Sequence, residues 1–176
     1  MPPIDAAVIK AHLATGANGA TTTEKGRALE DLICYLFGLV PGIAVTRRNQ
    51  MNAFHTEEID VALWNDTDPL GLPFLPNIIL VECKNWSARV SSNEVSWFLT
   101  KMRNRGQDFG ILLAPNGITG VPEDLTAAHS LIAGAQAERR RLVVLNADDL
   151  RALTHTDELI LMIKEKLCDL AVKGTI

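Results

Sequence analysis

Two strand-like segments of this sequence carry charge where a core would call for apolar residues. In Asn77-Ile78-Ile79-Leu80-Val81-Glu82-Cys83-Lys84-Asn85-Trp86 an apolar run ends on Glu82 and Lys84, two positions apart. In Glu57-Glu58-Ile59-Asp60-Val61-Ala62-Leu63-Trp64 the apolar Ile59, Val61 and Leu63 alternate with Glu58, Asp60 and Ala62. Strand side chains alternate faces, so Glu82 and Lys84 are neighbours and Cys83 points the other way. An E-x-K triplet by itself is an ordinary surface ion pair, worth about 0–1 kcal/mol. If the two segments pair as a hairpin, however, Asp60 and Glu82 converge at one edge. Two close carboxylates repel unless a cation bridges them. Hard oxygen ligands of this kind, completed by water, suit Mg²⁺ or Mn²⁺. A neighbouring lysine can orient a water or help deprotonate it, and the metal stabilises charge on a phosphate. The chemistry that fits is hydrolysis of a phosphodiester.

The elements that must position these groups follow from periodicity. Residues 4–14 read as a short helix, followed by the Gly- and Thr-rich break Thr15-Gly16-Ala17-Asn18-Gly19-Ala20-Thr21-Thr22-Thr23. Leu29, Leu32, Ile33, Leu36, Phe37 and Val40 then recur at helical spacing until Pro41-Gly42. Ile43 to Arg48 is a strand, and the Asp60 segment is the next. A turn-rich connection with Pro69, Pro73 and Pro76 leads to the Glu82 strand, whose continuous apolar run is that of a strand covered on both faces. Ser91 and Glu94 have the spacing of a capping box for a helix over about 92–106. Phe109–Asn116 is a further buried strand, 122–140 is helix-rich, and Arg141–Asn146 is a short strand. Asp148-Asp149-Leu150 starts a small helix, and 157–172 forms a final one. This order predicts one α/β domain with a central mixed sheet.

Composition narrows the function classes. The 176 residues are 47% hydrophobic and 22% charged, enough for a core and too apolar for a disordered chain. A net charge of −4 excludes a uniformly basic nucleic-acid glue. Cys34, Cys83 and Cys168 are odd in number and widely spaced, which argues against a disulfide framework or a zinc site; Cys34 and Cys168 are expected in the core. The N-terminus does not read as a signal peptide, and no stretch approaches the roughly 18 apolar residues of a membrane span. A soluble cytoplasmic protein with no membrane partner is expected.

In their order along the chain, these residues resemble a known group. Asp60 followed by Glu82-Cys83-Lys84 is similar to the D…E-x-K core of the restriction-endonuclease-like, PD-(D/E)xK nuclease superfamily. Gly26-Arg27-Ala28-Leu29-Glu30 resembles the helix-borne G-x-x-x-E of its Mrr-like (type IV) members and of archaeal Holliday-junction resolvases. Val81–Trp86, the capped helix and Arg103–Gly120 extend the Mrr-like comparison over roughly residues 22–153. The resemblance implies a restriction-endonuclease-like core, a central mixed β-sheet flanked by helices, over about 22–153. Residues 1–21 would form an N-terminal extension and 154–176 a C-terminal helix, all in one domain. It implies a DNA endonuclease dependent on Mg²⁺, with Mn²⁺ substituting, and a role in defence against foreign DNA. Asp60 and Glu82 would bind the metal, with the Cys83 backbone carbonyl as a further ligand. Lys84 would position or activate the attacking water, and Glu30 would assist. Ile59 stands where the nominal motif has proline. Two other readings share the motif: a junction resolvase, and a non-catalytic nucleic-acid-binding or assembly subunit.

Arg47, Arg48, Arg89, Lys101 and Arg105 flank the motif and are candidates for DNA phosphates. Trp97, Lys101 and Arg105, at i, i+4 and i+8, could form one stripe. Trp86 reads as a core residue or a base-stacking one. No sequence-reading module is evident. Target choice would then come from a partner subunit, a second copy or the DNA itself, and cutting both strands points to a homodimer.

Overall fold

The computed structural model describes residues 1–85, 87–121 and 126–175. Trp86 and positions 122–125, the start of the helix expected over 122–140, lie outside the described residues. The element order is α1 (Ala6–Asn18), α2 (Thr22–Gly38), β1 (Ile43–Met51), β2 (Glu58–Asn65), β3 (Ile78–Cys83), α3 (Ser92–Asn104), β4 (Phe109–Leu113), α4 (Ala128–Ala137), β5 (Arg141–Leu145), α5 (Ala147–Arg151) and α6 (Thr156–Lys173).

The strands form one five-stranded sheet in the order β1-β2-β3-β4-β5. β1, β2 and β3 are joined antiparallel, and β3, β4 and β5 run parallel. This is the mixed sheet of a restriction-endonuclease-like α/β core. Burial follows the sequence pattern. β2 alternates, with Ile59, Val61 and Leu63 buried, whereas Ile79 to Glu82 of β3 and all of β4 are buried without interruption. Alternation marks a strand with one covered face, and a continuous run marks one covered on both. Helices α1, α2, α5 and α6 cover one face, packing Leu29, Phe37 and Ile163 against Val61, Val81 and Ile111. Helices α3 and α4 cover the other, packing Val95, Phe98, Met102 and Ile132 against Leu80, Leu112 and Val144. The segments expected as extensions contribute to the first of these clusters. Ile9 and Leu13 of α1 and Leu159 and Ile163 of α6 are buried in it.

Local chemistry moves several boundaries. α1 continues to Asn18, so the break before α2 is confined to Gly19–Thr21. There the Thr21 side chain accepts from Glu24 N–H at 3.1 Å, and Glu24 Oε2 accepts from Ala20 N–H at 2.7 Å. The Ser91–Glu94 capping box does not form: the Ser91 side chain makes no cap bond, and Glu94 Oε2 instead meets Lys84 Nζ at 2.8 Å. A charge-assisted pair with a half-buried ammonium outcompetes a neutral amide at a helix end. Cys168 is exposed rather than in the core, because Leu167 and Leu170 take the inward positions of the last turns of α6, while Cys34 packs against the first cluster. Edge strand β1 is mostly exposed and carries a register shift between Val45 and Arg47. A bulge of this kind and flanking arginines discourage edge-to-edge pairing.

One glycine sets how closely α3 lies on the sheet. A Cβ on Gly110 of β4 would stand 2.7 Å from Met102 Sδ and 3.1 Å from Phe98 Cζ. Both side chains are fully buried, so neither has free space to retreat into. Gly110→Ala is therefore expected to lift α3 and cost about 1–3 kcal/mol by overpacking. Urea denaturation of the variant checks this, and an unchanged midpoint would contradict it.

Candidate active site

The register of the β2–β3 hairpin decides where the charged residues meet. Val61 pairs with Val81 and Ala62 with Leu80, fixed by apolar residues that must face the core. Beyond Val61 and Val81 the strands part. There the Cys83 N–H donates to Asp60 Oδ2 at 2.7 Å, so a carboxylate takes the place of a ladder carbonyl. Glu82 lies on the neighbouring strand at this same fork, its backbone flanked by Leu112 of β4. Lys84, just past the end of β3, is anchored by its N–H on the Leu113 carbonyl at 2.9 Å.

Glu82 is 2% exposed and holds two ammonium groups. Lys101 Nζ of α3 lies 2.8 Å from both Oε1 and Oε2, and Lys84 Nζ lies 3.0 Å from Oε1. Lys84 also reaches Glu94 of α3, so Glu94 and Lys101, two helical turns apart on one helix, bracket the end of β3. Glu30 of α2 is also buried. Its Oε2 accepts from Asn49 Nδ2 at 2.9 Å and from Arg48 Nη2 at 3.1 Å, and Arg48 reaches on to Asp31 at 2.8 Å. Asn49 has the left-handed φ of 49°, which the short amide side chain tolerates.

The electrostatics separate these groups. Burial, then the charge of Glu82, pushes the Asp60 carboxyl up to about 7, against the Cys83 N–H and Lys101, which pull it down. Burial opposes the charge on Lys84, but Glu82 and Glu94 outweigh it and hold the ammonium above the ordinary lysine value. Burial drives the Cys83 thiol well up, helped by Asp60, so it stays neutral. Among the described residues no three His, Cys, Asp or Glu side chains are gathered in metal-binding geometry. Glu30 is turned to Arg48 and Asn49, leaving Asp60 and Glu82 as the carboxylates at the fork. One or two carboxylates, completed by backbone oxygen and water, are what Mg²⁺ commonly takes. An Asp whose charge is resisted by a second carboxylate is a place where a cation relieves repulsion. The residues at the fork therefore fit a Mg²⁺ or Mn²⁺ ion.

The flanking cations are placed unequally. Arg47 and Arg89 are exposed. Arg105 is spent on Glu57, through that residue's carboxylate and its carbonyl, and Asn104 binds the same carboxylate. The stripe of Trp97, Lys101 and Arg105 does not exist: Trp97 is 46% exposed and Lys101 only 5%. Lys101 sits among the core positions of α3, between Phe98 and Met102, and that position was its sequence signal. Asn49 and Glu94 are the other site neighbours that sequence reasoning missed. Asn49 offers no pattern, and Glu94 was masked by its capping-box spacing.

The Asp60 shift has a signed consequence. Its folded pKa of about 7 exceeds the ordinary value of 3.8, so the native state keeps a proton that the unfolded chain releases between these limits. The metal-free protein should then lose stability as pH rises from about 4 to about 7 and stay at the lower level above that. Asp60→Asn keeps an acceptor for the Cys83 N–H but cannot ionise, and at pH 8 in EDTA it should be more stable than wild type by about 1–3 kcal/mol. Urea midpoints at pH 5 and pH 8 decide it; parallel losses in both proteins would refute the assignment.

Comparison with known proteins follows the same lines. No curated protein matches the chain. The family model Mrr_cat, described as restriction endonuclease, matches residues 23–154, a span that runs from α2 to the end of α5 and takes in Glu30, Asp60, Glu82, Lys84 and Lys101. With a mixed sheet flanked by helices in the order such a core requires, the chain belongs to the Mrr_cat restriction endonuclease family, within the PD-(D/E)xK-like nucleases.

Proposed function

We propose that this protein is a Mg²⁺-dependent DNA endonuclease that hydrolyses phosphodiester bonds at the fork between β2 and β3. The observation that carries the reading is the convergence of Asp60, Glu82 and Lys84 at that fork, with Asp60 poised near neutrality and Glu82 buried. A divalent cation, when bound, supplies an electrophile that draws charge from a phosphate and acidifies water. Asp60 and Glu82 would hold it, with the Cys83 carbonyl as a further oxygen. Lys84 is held protonated by Glu82 and Glu94, which favours orienting the attacking water over deprotonating it. Glu30, fixed by Arg48 and Asn49, would orient solvent on the α2 side. Arg47 and Arg89 are the exposed cations available for phosphates. Two copies of the chain would supply the two sites needed for a double-strand cut, with target choice left to that assembly or to a partner subunit. A role in restriction of foreign DNA, inside the cell, fits the family. Among the described residues no helix is long and apolar enough to cross a membrane.

Plasmid cleavage with Mg²⁺ or Mn²⁺ tests the reading. Asp60→Ala and Lys84→Ala should each lower the rate by at least about 100-fold. Equal rates in wild type and both variants would remove the catalytic assignment. At sub-saturating metal, wild-type activity should rise with pH as Asp60 ionises, and the rise should move to lower pH as the Mg²⁺ concentration is raised. A second test concerns Lys101, which covers both Glu82 oxygens. Replacing it by Met removes a competing cation, so Mn²⁺ should bind on the order of tenfold more tightly, seen as loss of free-ion signal in electron paramagnetic resonance titration. Unchanged or weaker binding would show that Lys101 does not compete for the site.

A further inference from the structure

The end of the sheet that carries the fork also carries a cleft. β3, β4 and β5 are parallel, so their carboxyl ends lie together, and β3 ends at the Glu82–Lys84 site. In open α/β sheets the crevice outside the carboxyl ends of parallel strands is where ligands bind. Here that crevice measures about 930 Å³ and begins immediately after Lys84, at Asn85, Ser87 and Arg89. The Asn85 side chain donates to the Thr22 carbonyl at 3.1 Å, tying the end of β3 to the start of α2. Lys84 and Asn85 thus form the divide between the fork and the cleft, and α2 spans both. Its first turns, at Thr22 and Lys25, line the cleft, while Glu30, held by Arg48 and Asn49, lies on the fork side, close enough for its charge to act on Asp60. Lys25 and Glu30 are five residues apart on the helix, roughly 7.5 Å along its axis.

The lining is graded in chemistry. Leu13, Ile118 and Ala147 are buried and apolar and line the interior. The rim carries Lys25 and Arg89, and among the described residues neither forms an ion pair, unlike Arg151 and Lys166, which are held by Asp148 and Asp149. This apolar surface lies beside polar groups such as Asn85, Asn116, His129 and Asn146, and with two cations outside any ion pair the mixture suits a ligand that has a flat body with polar edges and an anionic end, such as a nucleotide. The whole volume equals a cube roughly 10 Å on edge, smaller than the cross-section of a duplex whose major groove alone is roughly 12 Å wide, so paired DNA cannot enter. An unpaired nucleotide can.

We propose that this cleft receives an unpaired nucleotide of the DNA strand beside the bond that is cut, with Lys25 and Arg89 on its phosphates. The inference rests on the reading of the chain as a DNA endonuclease, and it names the substrate class: DNA with an extrahelical or single-stranded nucleotide next to the cleaved bond. Taking a base out of the stack costs a few kcal/mol, and less where it is already unpaired. Substrates that are unpaired at that position are therefore preferred over fully paired ones.

The test is fluorescence polarisation with full-length Asp60→Asn protein in EDTA. It uses a fully paired duplex, the same duplex with a two-nucleotide bulge, and the same duplex with a single-stranded flap. The bulged and flapped forms should bind about tenfold more tightly than the paired one. Adding Lys25→Ala should abolish that preference while paired duplex still binds. Equal affinity for all three DNAs, a preference that survives the Lys25 substitution, or no DNA binding at all would overturn the proposal. Deoxyadenosine monophosphate serves as competitor; its displacing the bulged DNA at micromolar concentration would assign the cleft to a free nucleotide instead. Metal-dependent cleavage by the wild type is scored separately. Cleavage of paired DNA with no binding preference defeats the cleft and leaves the nuclease reading, while a binding preference without cleavage does the reverse.

Discussion

A carboxylate buried to 2% exposure is expensive unless its charge is met, and Glu82 is the group whose neutralisation the site is organised around. Stripping water from such an ion costs several kcal/mol, recovered only by well-placed opposite charge. Two lysines supply it from different elements, Lys84 from the end of β3 and Lys101 from α3. That requirement reaches outward. Lys101 touches Glu82 only if α3 lies close to the sheet, which the missing side chain of Gly110 permits. Lys84 holds its direction because Glu94, from the first turn of the same helix, meets it from the other side. The packing of one face and the charge balance of the fork are therefore a single arrangement.

The second carboxylate is treated in the opposite way. Asp60 accepts one backbone N–H and, among the described residues, has no lysine of its own within ion-pair distance, so its charge is resisted. Two acids side by side thus have different surroundings, one covered by two ammonium groups, the other with its acidity weakened by burial and by its neighbour. Such separation is how similar groups come to hold different roles in one site. Glu30 belongs to a third class, ionic but locked to β1 by Arg48 and Asn49, and it joins the edge strand to α2 more than it adds charge to the fork.

The sequence made the hairpin and the approach of Asp60 to the end of β3 legible because both depend on local pattern. Alternating Ile59, Val61 and Leu63 and the run Ile79–Val81 each fix which face is buried, and register then follows. Lys101 was harder to read. Its contact with Glu82 depends on how a helix docks, which spacing along the chain does not encode, although its place between Phe98 and Met102 marked it as facing inward. The Ser91–Glu94 pattern misled because a local motif competes with tertiary partners, and a half-buried lysine is a stronger one. The cleft was invisible for the same reason. It is bounded by the ends of three strands and by residues of five helices, from Leu13 of α1 to Lys166 of α6.

Asn49 shows how narrow the choice of residue becomes where backbone and charge are constrained together. Its φ of 49° disfavours β-branched side chains and favours Gly, Asn, Asp and His. Its amide also donates to the buried Glu30. Gly would fit the torsion and remove the donor. Asp would fit the torsion and set a second anion against the first. His would bring a ring where a short amide reaches. At this position the twenty-letter alphabet contracts nearly to one letter, written by a torsion angle and a single hydrogen bond.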